Sequence, residues 1–183
     1  NNLSQLIRAW SMFAEDNQGL LPGNHGGGVV GTNIWVSGWL NFAAPNTANT
    51  NLLYLTDARY SQLANYLTNP AVYRCPSDQS QIMMADASST NVCARVRSYS
   101  MNANMGPANE IWYQSYITFG RLSDIRVPPP AKAFVILDER EDSINDGWFV
   151  VDLNGRGSSA RIVKYPSAYH NRGGNLSFAD GHV

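Results

Sequence analysis

The first seventeen residues carry the most regular apolar pattern in the chain. Apolar side chains recur there at steps of three and four residues, as they do on a helix with one apolar stripe. The stripe consists of Leu3, Leu6, Ile7, Trp10, Phe13 and Ala14. Asn17, Gly19 and Pro22 follow it and are typical of a helix end. Because such a stripe must be buried, we predict a helix over residues 1–17 that packs along a sheet.

The last third of the chain predicts that sheet. The candidate strands, which are apolar or alternate apolar with small residues, are 133–137, 148–151 and 176–179. Asn145-Asp146-Gly147 and Asn154-Gly155 follow the first two runs and have hairpin chemistry. A length of 183 residues suits one domain. We therefore predict a single α+β domain over residues 1–183, with the N-terminal helix on an antiparallel sheet at 131–183.

The segment between the helix and the sheet is less regular. Residues 23–70 are rich in Gly and Asn and predict a long ordered insertion. Within it, a second helix is predicted over Thr56–Leu67, with Thr56 as its N-cap. Cys75-Pro76-Ser77-Asp78 predicts a turn, and residues 79–95 predict a polar excursion beyond it.

Charge and composition exclude several classes of partner. Charged residues make up 15% of the chain and the net charge is −1, so nucleic acid is not a predicted partner. Only Lys132 and Lys164 are lysines, which argues against a polybasic membrane-binding surface. No run approaches the roughly 18 apolar residues of a membrane span. The chain nevertheless starts at Asn1 inside a predicted helix, and we expect that a segment once preceded it.

Cys75 and Cys93 are the two cysteines of the chain. No second Cys or His lies at zinc-ligand spacing from Cys75, so the spacing does not predict a structural zinc site. A disulfide between the two would close a short loop, contribute about 3 kcal/mol and indicate an oxidising compartment. Two buried free thiols are the alternative. We predict the disulfide Cys75–Cys93.

The sequence contains no complete catalytic motif. His25-Gly26-Gly27-Gly28 matches the oxyanion-hole loop of some lipases, but the G-x-S-x-G nucleophile turn that this chemistry needs is absent, so we predict a glycine-rich turn. With three histidines in the chain, a Ser-His-Asp triad is hard to assemble. No phosphate-binding loop occurs either. We predict that the protein is not an enzyme.

An acidic stretch near the predicted sheet is a candidate site for Ca²⁺, the one cofactor that we predict. Its members are Asp138, Glu139, Glu141, Asp142 and Asp146. An EF-hand loop starting at Asp142 fails because Ile144 and Leu153 stand at ligand positions. A different oxygen-based Ca²⁺ site, a solvated acidic loop and paired catalytic carboxylates remain as interpretations, in which the solvated loop ranks first and catalysis last.

The C-terminus carries the most specific motif. His170 is followed by nine residues and then by Asp180-Gly181. This spacing resembles the H-X9-DG signature of prepilin-type proteins, which are abundant in planctomycete- and verrucomicrobia-like bacteria. Other segments resemble further features of that family in the same order: residues 2–5 with 17–22 resemble the start of the pseudopilin ectodomain, 73–78 its CPSD box, 98–102 its SYxxN segment, and 137–139 with 145–147 its late acidic loop.

This resemblance implies a non-enzymatic structural subunit of a type IV pilin-like or type II secretion pseudopilus that takes part in protein export. Subunits of that family have a cleaved leader and then an apolar helix that anchors them in the inner membrane before assembly. The implied partners are other pseudopilin subunits and secretion-machinery proteins, and the implied location is extracytoplasmic, at the cell envelope. The leader and the apolar half-helix do not occur in the present sequence.

The terminal motif has two physical interpretations. In the first, Gly173 and Gly174 permit a tight turn, so that His170 and Asp180 lie at neighbouring ends of a hairpin and share a hydrogen bond. In the second, His170, Asp180 and His182 bind a metal ion together with Asp138 or Glu139. We favour the hydrogen bond because it needs only one contact.

A secreted carbohydrate- or Ca²⁺-binding module is the alternative function. Trp35, Trp39, Trp112 and Tyr113 would form its aromatic platform. Core and loop packing of these side chains is the interpretation that we favour, because trapped tryptophans stabilise glycine-rich loops.

Overall fold

The protein is an α+β domain. The computed structural model describes residues 2–43, 46–85, 90–107, 117–152, 157–159, 161 and 163–183. Its α-helices are α1 (Asn2–Asp16) and α2 (Leu53–Thr56), and its strands are β1 (Gln81–Ala85), β2 (Thr90–Ala94), β3 (Tyr99–Asn102), β4 (Phe134–Asp138), β5 (Trp148–Phe149) and β6 (Leu176–Phe178). Short 3-10 helices lie at Thr47–Asn49, Pro70–Tyr73, Leu122–Asp124, Pro130–Lys132 and Gly157–Ser159.

Helix α1 is the helix that the apolar pattern predicts. It buries all six residues of the stripe, together with Ala9, and it contacts strands β4 and β6. Its first turn is also tied to the chain that leads to Cys75: the Asn2 side-chain amide donates to the carbonyls of Ala71 and Arg74, at 3.1 and 2.7 Å. The helix therefore connects the sheet with the 3-10 helix at Pro70–Tyr73.

The main sheet has four strands in the order β5-β3-β4-β6. β3 and β4 are antiparallel, as are β4 and β6, whereas β3 and β5 are parallel, so the predicted all-antiparallel sheet is wrong and the sheet is mixed. A hairpin across Asn145-Asp146-Gly147 was expected to pair β4 with β5. Instead, β3 lies between these two strands. Because β3 comes from residues 99–102, pairing with a segment far away in sequence decided the strand order.

A second sheet has two strands. β1 and β2 form an antiparallel pair within the segment 79–95, which was predicted as a polar excursion. Ile82 lies opposite Cys93 and Met83 opposite Val92. Only Ile82 among the described residues of β1 and β2 is buried. The sequence of this segment is largely polar and therefore did not indicate that two strands pair here.

The predicted helix over Thr56–Leu67 is also wrong. Helix α2 ends at Thr56, and Asp57 adopts an extended conformation with φ −112° and ψ 127°. The Asp57 carboxylate accepts the backbone N–H of Arg59 at 2.9 Å and the Arg59 guanidinium at 2.6 Å. Aspartate side chains compete in this way with helical hydrogen bonds, and the chain continues as turns.

The core joins α1, the insertion and the sheet. Trp10 and Trp35 are its largest apolar side chains, and Trp35 stacks on Tyr73 with 6.4 Å between ring centroids. Arg97, also buried, donates to the carbonyls of Asp146, Asn145 and Gly38 and so fastens two loops to the sheet. Within the described parts of the chain, no helix has both the length and the apolarity that crossing a bilayer requires.

Candidate functional site

Cys75, Asp138 and His170 meet at one place. One ligand-capable atom from each lies within 4.8 Å of the other two, and this is the one such group of three that the described residues form. The Cys75 Sγ and the His170 Nε2 are 3.2 Å apart, and the same Nε2 lies 3.6 Å from the Asp138 Oδ2. Three segments that are far apart in sequence therefore supply one compact cluster.

Cys75 follows the 3-10 helix at Pro70–Tyr73 and is 2% exposed. Its backbone N–H donates to the Ser98 hydroxyl at 2.8 Å. The backbone N–H of Ser98 in turn donates to the Tyr73 carbonyl at 3.1 Å, so the turn that carries Cys75 is fixed against the residue before β3. The backbone that carries the thiol is thus fixed by these two hydrogen bonds.

Asp138 is the last residue of β4 and is 0% exposed. Its Oδ1 accepts the Ser98 hydroxyl at 3.0 Å, and its backbone carbonyl accepts the Ser167 N–H at 2.7 Å. Among the described residues, no donor stands at hydrogen-bonding geometry to Oδ2, which is the oxygen that faces the histidine. A buried carboxylate oxygen without a donor is unusual, because it has lost water and gained no replacement.

His170 begins a two-residue turn that reverses the chain. Its N–H and carbonyl exchange hydrogen bonds with Gly173 at 3.1 and 2.9 Å. The two residues between them, Asn171 and Arg172, have φ values of 52° and 67°, as the central residues of a type I′ turn do. Arginine rarely adopts this left-handed conformation. The turn therefore carries backbone strain at the position that sets the imidazole against Cys75.

Burial and charge act together on the cluster. Burial raises the pKa of the Asp138 carboxyl above its usual value. Burial, together with the nearby Asp138 carboxylate, raises the pKa of the Cys75 thiol. Tyr99 lies opposite Asp138 in the sheet register, and its pKa is also raised, by burial and by the charges of Cys75 and Asp138. Negative charge in this cluster is therefore costly without a cation.

This arrangement is poorly suited to nucleophilic catalysis. A reactive cysteine needs a lowered pKa and exposure, whereas Cys75 is buried and its pKa is raised. In Cys-His catalysis an acid orients the ring nitrogen that does not face the thiol. Here the thiol and the carboxylate both face Nε2. Three ligand types that converge on one point are typical of a metal site or of a closed hydrogen-bonded cluster.

The predicted disulfide between Cys75 and Cys93 is wrong, because both cysteines are free thiols in the structure. Cys75 is buried against His170, whereas Cys93 is half-buried on β2, opposite Ile82. Both residues border a surface cleft of about 870 Å³. Cys93 is held by strand pairing in the β1–β2 hairpin. No disulfide to Cys75 closes the segment between the two cysteines.

The predicted hydrogen bond between His170 and Asp180 is also wrong. His170 turns to Cys75 and Asp138, whereas the Asp180 Oδ1 lies 2.5 Å from the Nδ1 of His182. His182 also stacks on Phe178, with ring centroids 4.3 Å apart. The proposed metal set of His170, Asp180, His182 and Asp138 or Glu139 is therefore divided between two places. Only His170 and Asp138 belong to the same cluster.

Glu139 follows Asp138 directly and belongs to different surroundings. Its carboxylate accepts the Ser143 hydroxyl at 2.7 Å, and burial raises its pKa, an effect that the charges of Lys164 and Arg97 partly offset. Successive residues at a strand end point to opposite sides, which explains why only one of the two acids reaches His170.

The acidic stretch does not assemble an oxygen cage for Ca²⁺ among the described residues. Asp146 is buried and lies 2.5 Å from Lys164, and Asp142 lies 2.5 Å from Arg140. Asp146 also accepts the backbone N–H of Gly27 at 2.8 Å. That last bond uses an amide of the His25–Gly28 segment, which is a turn, as predicted, with positive φ at Gly27 and Gly28.

Of the aromatic residues named for a carbohydrate platform, Trp35 and Trp39 lie in the described part of the chain, and Trp35 is in the core. Trp35 is 0% exposed, and its ring N–H donates to the Gly147 carbonyl at 3.0 Å, so it belongs to the core, as the packing interpretation held. Trp39 is partly exposed. Trp112 and Tyr113 lie outside the described residues.

Sequence reasoning named two members of the cluster, His170 and Asp138, and missed the role of Cys75 and Ser98. Both missed residues lie in the motifs that carry the family resemblance, the CPSD box and the SYxxN segment. The order of motifs in the chain could have suggested that they meet. The presence of a second cysteine directed the interpretation of Cys75 to a disulfide instead.

Comparisons with protein-family models, with curated proteins and with solved structures found no match for this chain.

Proposed function

We propose that this chain is the globular part of a pilin-like filament subunit of the bacterial envelope, with a structural role and without catalysis. The observation that carries the proposal is the position of α1, whose apolar face lies on β4 and β6. A helix placed in this way could continue as an apolar rod toward its N-terminus while the sheet and loops face outward. Filament subunits need this division between a rod for assembly and a domain for display.

The positions of the motif residues also support the proposal. Cys75 from the CPSD box, Ser98 from the SYxxN segment, Asp138 from the late acidic loop and His170 from the H-X9-DG motif are in contact with one another. Four sequence features that resemble one family thus have one structural reason to occur together. Chance matches scattered through a sequence would have no such reason to meet.

The proposed partners are further pilin-like subunits, components of a secretion machine and, before assembly, the inner membrane. The proposed location is the extracytoplasmic side of the envelope. The surface offers apolar contacts for such partners: Met83 and Val92 are cross-strand neighbours on the β1–β2 hairpin, and both are largely exposed.

The test begins with the gene that encodes the chain. We expect the codons before Asn1 to specify a short basic leader, a prepilin-peptidase cleavage site and about 20 apolar residues. Expression of the complete gene with the peptidase should then give a shortened product and extracellular filaments that contain it, seen by electron microscopy.

The control is the same expression in a host without the peptidase, where the product should stay long and no filaments should form. An ordinary signal peptide joined directly to Asn1 would contradict the proposal. Unchanged length of the product with and without the peptidase would contradict it as well.

A further inference from the structure

We propose that Cys75, Asp138 and His170 form a zinc site with three protein ligands and a fourth position open to solvent. The site is independent of the filament role, because it rests on the geometry of the cluster alone. Each ligand type is one that Zn²⁺ accepts, and the combination of thiolate, imidazole and carboxylate favours Zn²⁺ over the oxygen-seeking Ca²⁺.

Two of the three distances between these groups are close to those around a tetrahedral ion. With zinc–ligand bonds of about 2.0–2.3 Å, neighbouring ligand atoms lie about 3.3–3.6 Å apart. The observed separations are 3.2 Å between the Cys75 Sγ and the His170 Nε2, which is just below this range, and 3.6 Å between that Nε2 and the Asp138 Oδ2, which is at its upper end. All three atoms stay within 4.8 Å of one another. Small side-chain adjustments are therefore enough to admit the ion.

The unpartnered oxygen of Asp138 gives an independent reason for a cation. Oδ2 is buried, has no donor among the described residues and faces the other two ligands. A thiolate and a carboxylate carry two negative charges, which one Zn²⁺ neutralises while the imidazole stays neutral. The ion would thus be the partner that this oxygen lacks among the described residues.

The groups around the ligands hold them in place for an ion. The Ser98 hydroxyl accepts the Cys75 N–H and donates to the Asp138 Oδ1, so one residue orients two ligands. Such supporting contacts are a regular part of metal sites. The two-residue turn fixes the third ligand, His170, from the other side.

An ion can reach the cluster. Cys75 borders the surface cleft of about 870 Å³, and the His170 side chain is 34% exposed. The fourth ligand would be a water molecule on the exposed side of His170. A bound ion would join the segment after Pro70–Tyr73, the end of β4 and the C-terminal turn. It would thereby stabilise the fold, as the disulfide was expected to do.

The experiment is to measure metal binding by the purified, reduced protein, with Zn²⁺ and Co²⁺ as probes and Ca²⁺ as a comparison. We expect one Zn²⁺ per chain by calorimetry, a rise in Tm with Zn²⁺ but not with Ca²⁺, and a thiolate-to-cobalt charge-transfer band with Co²⁺. Cys75→Ser should abolish the band. Cys75→Ser and His170→Gln should each weaken zinc binding by about 100-fold or more, since even supporting contacts contribute 10- to 100-fold.

The chain offers matched controls. Cys93→Ser removes the other cysteine, and His182→Gln removes the histidine that contacts Asp180. Both variants should bind Zn²⁺ as the unaltered protein does. Circular dichroism identifies any variant that fails to fold, and the half-exposed His170 makes His170→Gln the variant least affected by this. Absence of zinc binding by the unaltered protein, or unchanged binding in folded His170→Gln, would overturn the proposal.

Discussion

Two histidine–aspartate pairs occur within the described residues, and they differ in every respect except composition. His170 meets Asp138 across the fold, and that aspartate is 0% exposed. His182 meets Asp180 two residues away, and the side chains of this pair are 50% and 37% exposed. The first pair exists only because distant segments pack together, whereas the second follows from local chain geometry.

The buried pair has surroundings that suit a functional site, and the exposed pair does not. The exposed pair is closer, at 2.5 Å against 3.6 Å, yet water competes for both of its members. The buried pair is looser but shares its surroundings with a thiol and keeps a carboxylate oxygen without a donor. A short distance alone is therefore a poor guide to a functional site.

The largest expected effect comes from truncating the two aspartates. Asp138→Ala removes the acceptor of the Ser98 hydroxyl and leaves a buried gap, so it should lower the free energy of unfolding by about 1–3 kcal/mol. Asp180→Ala should shift the urea midpoint much less, because its side chain is exposed. Urea denaturation in the presence of a chelator measures both. Equal effects of the two substitutions would abolish the contrast.

The next prediction concerns the accessibility of Cys75, which lies beside the buried His170–Asp138 pair. Cys75 is buried beside His170, whereas Cys93 is half-buried on β2. Without metal, a thiol reagent should modify Cys75 more slowly than Cys93, on the order of tenfold or more, because buried thiols are inert until the structure opens. Labelling kinetics of Cys75→Ser and Cys93→Ser assign each rate. A Cys75 that reacts as fast as Cys93 would mean that the cluster is open.

The turns beside the two pairs provide a third test. Arg172 has a φ of 67° without being glycine, so Arg172→Gly should relieve strain and stabilise the protein by up to about 1 kcal/mol. Gly181 has a φ of 91°, and a Cβ added there would meet open space, so Gly181→Ala should destabilise the protein by about 1 kcal/mol through backbone strain alone. Thermal unfolding of both variants would measure this. A loss of stability in Arg172→Gly would contradict the assignment of strain to that turn.

The smallest expected effect is a change in titration. The hydrogen bond from His182 holds the pKa of Asp180 below its usual value. The bond therefore contributes stability above the pKa of Asp180 in the unfolded chain, and this contribution is lost as the pH falls through the lower folded value. His182→Ala should return the pKa of Asp180 to the ordinary range, measured by NMR of the carboxyl carbon. An Asp180 titration that is identical in both proteins would show that the pair does not form in solution.

Local patterns predicted the elements whose cause is local. The apolar stripe of α1 was readable because helical periodicity depends on neighbours three and four residues apart. The strands at Phe134–Asp138 and Leu176–Phe178 were found for a similar reason. The parallel pairing of β3 with β5 was missed, since it depends on which distant strand occupies the centre of the sheet.

The same division applies to the cluster. His170 was recognisable from its motif, and Asp138 from an acidic stretch next to a strand. That Cys75 joins them depends on the path of the whole chain between residues 75 and 170, which no local pattern encodes. The wrong disulfide arose from the same cause, because pairing two cysteines by their spacing ignores the hairpin that holds Cys93.

The separation of 95 residues between Cys75 and His170 has a consequence for biosynthesis. At about 5–20 residues per second, the ribosome makes the histidine roughly 5 to 20 s after the cysteine. During that interval the thiol has no imidazole to meet, and it is open to oxidants and to stray pairing with Cys93. The thiol of a newly made chain thus stays unprotected until the turn at His170 is made, and closure of that turn completes its protection.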